Sequence, residues 1–277
     1  MKNILLGLLL LSAFSCKTTK EVIAPPIVLA EEGFELKMLF QPNSEYVTDL
    51  EQVTSTTMSI PNMPEQSSVS EVFSSSTLKF GPMADNQCDM LIVYDEMDMQ
   101  ISGAGSEQIE TPKLAGMKIY GKLIEGAQSI DSIVGVEQSM QNMIEGLKEP
   151  LFSNSQIDFP NTMKLGDEFL DTKIIEIPIE EMGSTEMTTD TKYTLIKVTD
   201  NIAELATQIN LSGKVSVMGK EIPLEGSGSG TMSIDIKQQY STSSSTTIDQ
   251  VMNMEIQGMT MMQKITVTMT TKTKKVK

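Results

Sequence analysis

Histidine, tryptophan and arginine are all absent from the 277 residues, and cysteine occurs twice. Without histidine there can be no Ser-His-Asp triad, no Cys-His pair and no histidine-based zinc site. Without tryptophan, and with aromatics at 5%, the chain lacks the flat platforms on which sugars stack. A formal net charge of −16, with no basic stripe ahead of the last residues, argues against nucleic acid as a partner. That charge serves solubility.

Long apolar runs are missing too. Ile4 to Leu11 falls short of the roughly 17 to 25 residues a transmembrane helix needs. Lys2 before it and Ser12, Ala13 and Ser15 after it instead make a secretory signal, which Lys17 and Lys20 follow without a stop-transfer segment. The whole stretch, MKNILLGLLLLSAFSC, resembles the lipobox of bacterial lipoproteins in its relaxed Bacteroidetes-type form, with Ala13 where leucine is usual. The resemblance implies cleavage before Cys16 and acylation of its thiol by diacylglycerol, with a further palmitate-type chain on the amine. An ordinary signal with an incidental cysteine is the alternative. Acyl chains at ~0.8 kcal/mol per buried methylene would make the membrane a near-permanent partner. Lys17, in place of the aspartate that marks inner-membrane retention, implies by the same resemblance the outer membrane, facing the periplasm.

The expected layout is a signal over 1–15, the lipidated cysteine and a tether over 16–33, one β-rich domain over 34–272, and a basic tail over 273–277. The tether, with its Pro25-Pro26 pair, carries neither the helical nor the strand period. With Cys16 acylated, Cys88 has no disulfide partner. It reads as a half-buried structural thiol, since no histidine is present to lower its pKa.

From Phe34 onward, runs of Thr, Ser, Val, Ile and Met broken by Gly, Pro and Asn give the strand-and-turn pattern. Strands are expected over 34–40, 46–60, 69–80, 90–101, 117–124, 129–134, 169–178, 191–199, 203–211, 230–240, 246–256 and 262–271. Met252, Met254 and Ile256 share one parity while Ile265, Val267 and Met269 share the other, which places a turn between them. Gly183-Ser184 and Gly226-Ser-Gly-Ser-Gly230 read as loop or strand-entry segments. One helix is expected near 136–148, where Val136, Met140, Met143, Ile144 and Leu147 form a single apolar stripe and Pro150 stops it. The fold class is therefore mainly β: a long-stranded, curved antiparallel sheet, half-barrel-like, with an amphipathic helix packed on it. YVTDLEQVTSTTMSI and YSTSSSTTIDQVMNM share a tyrosine followed by Thr/Ser alternation, which leaves two similar halves open.

The order of a lipobox, a long Thr-rich hairpin, IDSIVG, a short helix, FPNTMKLGDEF, KYTLIKVTDNIAEL, GSGSGTMSIDIKQQY and a Met-rich last hairpin is similar to a family of Bacteroidetes lipoproteins of unknown function. LGDEF (Leu165 to Phe169) and GTMSIDIKQQY (Gly230 to Tyr240) are the most specific pieces. The resemblance implies an exported, lipid-anchored β-rich domain, with a distant similarity to half-barrel lipoprotein carriers.

Residue by residue, no catalytic group emerges. Ser76 and Lys79 match S-x-x-K in spacing, but an offset of three along a strand points them to opposite faces. Asp85, Asp89, Asp95, Glu96 and Asp98 crowd together without the glycine an EF-hand needs at its sixth position. The Gly226 run lacks a phosphate loop's lysine. No cofactor and no metal site is expected, and the 22 methionines read as adaptable core in preference to copper ligands. The expected function is a non-enzymatic structural or binding module of the cell envelope. Its alternative is a carrier or sensor of an apolar ligand, lined by Met99, Met140, Met143, Met252 and Met254 between sheet and helix.

Replacing the anchor residue tests the first step. Cys16→Ser should release a soluble form and abolish labelling by a fatty-acid analogue; unchanged retention and labelling would refute acylation at this position.

Overall fold

Apolar residues alternate with Thr, Ser and charged residues, and this period of two lets each strand bury one face and wet the other. The computed structural model describes residues 33–103, 115–124, 127–136, 157–179, 183–217, 220–256 and 259–277. The strands are β1 (Glu45–Ser59), β2 (Gln66–Phe80), β3 (Gln87–Gly103), β4 (Lys118–Ile124), β5 (Ala127–Val134), β6 (Glu168–Ile179), β7 (Gly183–Thr199), β8 (Ile202–Val217), β9 (Lys220–Asp235), β10 (Tyr240–Ile256) and β11 (Met259–Lys275). Most hairpin turns are short. Asp85 and Asn86, and Asp200 and Asn201, take positive φ at both central positions, as a type I′ hairpin requires.

All eleven strands belong to one antiparallel sheet in the order β5-β4-β3-β2-β1-β11-β10-β9-β8-β7-β6. Two meanders, β1 to β5 and β6 to β11, meet where the first strand pairs with the last, from Tyr46 opposite Lys275 to Ser59 opposite Met262. The sheet is not closed, and β5 and β6 are its edges. Mainly β and antiparallel is thus the observed class. The expected helix has its remainder beyond Val136 outside the described residues; Val136 itself packs against Met117, Ile119 and Ile133. β11 continues through Lys275, so Thr273 to Lys275 of the expected basic tail lie in the sheet.

Inward-facing glycines show which way the sheet bends. In a flat sheet a Cβ stands clear of the neighbouring strands. A Cβ added at Gly226, Gly228 or Gly230 would instead lie 2.8, 2.5 or 2.1 Å from the carbonyl oxygen of Asp249, Thr247 or Ser245 on β10. At Gly213 it would lie 2.3 Å from the Glu186 oxygen on β7, and at Gly121 2.1 Å from that of Ser129 on β5. All five sit on the face that carries the buried residues, so the neighbouring strands fold over that face and make it concave. The Gly226 run is therefore mid-strand in β9, not a loop: its missing side chains serve the bend.

The stretch 34–40 is also not a strand. Phe34 and Met163 exchange backbone hydrogen bonds at 2.8 Å, Leu39 N donates to Gln239 O, and Leu36 is buried beside Leu195 and Leu205. Its alternation serves to lay apolar side chains across one end of the concave face instead of into a ladder.

The bend gives a sharp test. Gly228→Val should destabilise the protein by about 1–3 kcal/mol through overpacking, while Ser229→Val, one residue away on the exposed face, should stay within about 0.5 kcal/mol. Urea denaturation of the two variants separates these outcomes.

Candidate functional site

Among the described residues the buried apolar side chains gather on the concave face, and its lining changes along the strands. At the end where β10 and β11 are joined, Met187, Leu211, Ile222, Leu224, Met252, Met254, Ile265, Val267 and Met269 form one cluster. Ile256 pairs with Met259, so even-numbered residues of β10 and odd-numbered residues of β11 share this face. At the other end the lining is aromatic. Tyr46 meets Phe40 and Tyr240 at centroid distances of 5.3 Å each, and Phe159 meets Phe169 and Tyr193 at 5.7 and 5.4 Å.

Between the two ends runs a belt of neutral polar residues. One row follows the register across five strands from Gln52 through Met269, Thr246 and Gly230 to Thr207, and continues to Tyr193 and Phe169. Gln52 is 2% exposed, Thr207 6% and Ser70 8%. Gln52 Nε2 donates to Thr54 Oγ1 at 2.9 Å, and Ser70 stands opposite Thr54 on β2. Gln52 Oε1, Ser70 Oγ and Thr207 Oγ1 have no hydrogen-bond partner. Buried polar atoms are nearly always satisfied, so three orphans on one face need an explanation.

Charge is almost absent from this face. Among its described side chains only Asp171, Lys173 and Lys275 are ionisable by type as acid or base, and each has company. Asp171 and Lys173 pair at 3.5 Å on the edge strand β6. Lys275 Nζ reaches Gln41 Oε1 and lies 6.0 Å from the Tyr46 ring centre. An inward charge pair on a free edge also discourages strand addition there. Burial pushes the Asp171 carboxyl above the usual aspartate range, against the pull of Lys173. Burial, then the charge of Asp171, raises the Tyr193 phenol well above its ordinary value. The Cys88 thiol, buried beside Phe80 and Met90, is raised by burial and by Asp89, the opposite of what a nucleophile needs.

Of the residues expected to line a ligand, Met252 and Met254 pack together in the methionine cluster. Met99 is buried on the same face but on β3, level with Gln52 through Val72. Met140, Met143 and Cys16 lie outside the described residues. Gln52, Ser70, Thr207 and Asp171 were missed. Their signal was available: Gln52 and Thr54 occupy the parity of Tyr46 and Leu50, where apolar residues belong. Ser76 is half-buried on the concave face and Lys79 pairs with Glu45 at 3.1 Å on the other. No group of three or more carboxylates or thiols able to hold a metal ion occurs among the described residues.

The opposite face is mostly hydrophilic, with Leu170, Ile174 and Val251 among the apolar side chains exposed on it. Glu204, Gln208, Asn210, Ser212 and Lys214 point outward from β8, and Thr266, Thr268 and Thr270 bond across to Asp249, Thr247 and Ser245. A membrane-spanning barrel shows the reverse pattern, apolar outward.

The raised Asp171 pKa predicts a pH dependence. The folded state holds this proton more tightly than the unfolded one, so Asp171 contributes stability below its ordinary value of 3.8 that is lost as pH rises through the higher folded value. Relative to Asp171→Asn, the wild-type protein should lose stability as pH rises from the ordinary value of 3.8 through the higher folded one and then level off, as measured by urea midpoints. A wild-type curve that rises against the variant would contradict this.

No family model matches the chain, and no curated protein does. Among solved structures, lipovitellin, in a study of its lipid–protein interactions, is similar at a TM-score of 0.44 and 10% identity over 83% of this chain. This chain spans 25% of the lipovitellin chain. An outer membrane channel from Pseudomonas putida F1 is similar at a TM-score of 0.30 and 7% identity, over 90% of this chain and 100% of its own. OpdQ of Pseudomonas aeruginosa follows at a TM-score of 0.25 and 6% identity, over 84% and 99%.

Proposed function

We propose that this protein is a non-enzymatic, lipid-anchored binding module of the cell envelope, held at the outer membrane through Cys16 and facing the periplasm. Its concave face holds an apolar or amphipathic ligand. The observation that carries this reading is the division of the sheet: one face is lined by methionine, aliphatic and aromatic side chains with almost no charge, and the other is Thr-, Lys- and Glu-rich. A sheet of this kind sits in water on its outer side and offers a greasy trough on its inner side. Methionine suits such a lining because its unbranched, polarizable side chain repacks around different shapes.

The anchor and the trough have separate roles. Acylation at Cys16 keeps the domain at the membrane surface, and the stretch 17–32 gives it reach. Raised pKa values at Cys88 and Tyr193 favour their neutral forms, which suits a lining in preference to a reaction centre.

Native mass spectrometry of the exported Cys16→Ser protein, purified without detergent, tests the reading. The expected result is a bound species heavier than the bare chain that organic solvent extracts as lipid. Only the bare mass, together with no uptake of added lipid, would count against it.

A further inference from the structure

We infer that β6 is a homodimer interface: two copies of this chain pair their β6 edges antiparallel, about a two-fold axis at Thr172. The inference stands apart from the ligand reading above.

Strand direction favours a second copy over closure of the sheet on itself. Neighbouring strands are antiparallel throughout and eleven is an odd number, so the edges β5 and β6 run the same way. Joining them would need a parallel ladder. A second copy turned about a two-fold axis instead presents its β6 antiparallel, the pairing the rest of the sheet uses.

The sequence around that axis is its own complement. With Thr172 facing Thr172 of the second copy, Leu170 comes opposite Ile174 and Asp171 opposite Lys173, each twice. Leu170 and Ile174, 60% and 63% exposed, are the two most exposed large apolar side chains among the described residues. They share the outer face, and one pairing covers all four of them. Asp171 and Lys173 stand half-buried on the concave side and pair within the chain at 3.5 Å. They deter a strand of arbitrary sequence, which would desolvate them without return. A second β6 gives each of them an opposite charge. Further out Glu168 comes opposite Glu176, and Lys192 on β7, at 3.0 Å, already neutralises the former. The other edge has no such symmetry, because Asp131 is the one charged residue of β5 and no two-fold register brings it a cation.

Opposite residues of an antiparallel pair share a face, so the two concave faces open to the same side and join across the axis. A ladder this short lies at the low end of interface size, so the dimer should dissociate with a Kd of about 10 μM.

Sedimentation velocity of the exported Cys16→Ser protein without detergent, from about 1 μM to about 100 μM, tests this. The parent should pass from monomer to dimer across that range. Asp171→Lys and Lys173→Asp each set like charges opposite one another and should raise the Kd at least about tenfold. An equimolar mixture of the two should dimerise again, because two cations on one strand then meet two carboxylates on the other. The double variant Asp171→Lys with Lys173→Asp keeps every pair and should self-associate like the parent. Urea midpoints check that each variant folds; should a charge reversal fail to fold, Leu170→Ser with Ile174→Ser removes the outer contacts and should weaken the dimer to a similar degree. A parent that stays monomeric, a dimer that these substitutions leave intact, or reversed variants whose mixture stays apart would each overturn the assignment.

Discussion

A strand can bury only one of its two faces, and in this sheet that division is also a division of charge. The chain carries 37 acidic and 21 basic residues, and the described strands keep nearly all of theirs at positions that point outward. An inward lysine or glutamate at mid-strand would have to be desolvated without a partner, which costs several kcal/mol. Every other property follows from that exclusion. The face can be apolar along its length, it can be folded over on itself, and whatever rests on it meets dipoles and hydrocarbon in place of ions.

Bending is the second requirement, and it is met by subtraction. Side chains on the inside of a curve collide first, so the inner face gives up its Cβ atoms at Gly121, Gly213, Gly226, Gly228 and Gly230. Glycine in a strand sacrifices packing and backbone entropy. The neighbouring Met and Leu residues restore contact around the gaps, which is why the methionine cluster reaches from β7 to β11 without a break.

Much of this was legible in the sequence because strands announce themselves locally. Ten of the eleven strands fall on their expected ranges, although β7, β8 and β10 run six to eight residues longer at one end, β9 is displaced, and the change of parity between Met254 and Ile265 marked the last hairpin. What misled was ambiguity in single residues. Gly-Ser repeats look like a linker whether they are one or a bend in a strand, and Phe34 to Phe40 alternates like a strand while lying across one. Asp235 in GTMSIDIKQQY shows the converse: its carboxylate accepts from Gln238 N at 2.8 Å and so shapes the turn before Tyr240. In LGDEF, Gly166 N donates to Leu195 O, which docks that turn on β7. The pairing of β1 with β11 had no local mark, because a ladder between distant segments leaves no period in either one. The orphaned Gln52, Ser70 and Thr207 were hidden among the many Ser and Thr residues, and only burial singles them out.

That central ladder has a bearing on how the protein comes into being. β1 and β11 are separated by about the whole length of the domain, and they form the seam on which both meanders meet. Pairs so far apart close late, since the chain entropy between them must be surrendered first. Synthesis runs from the N-terminus, so β1 is made while its partner strand has yet to appear. Until Met259 to Lys275 arrives, one flank of β1 remains an unpaired edge with Thr54 and Leu50 exposed beside it. The half-sheet then carries an open edge, and the arrival of the seventeen residues of β11 is the event that covers it.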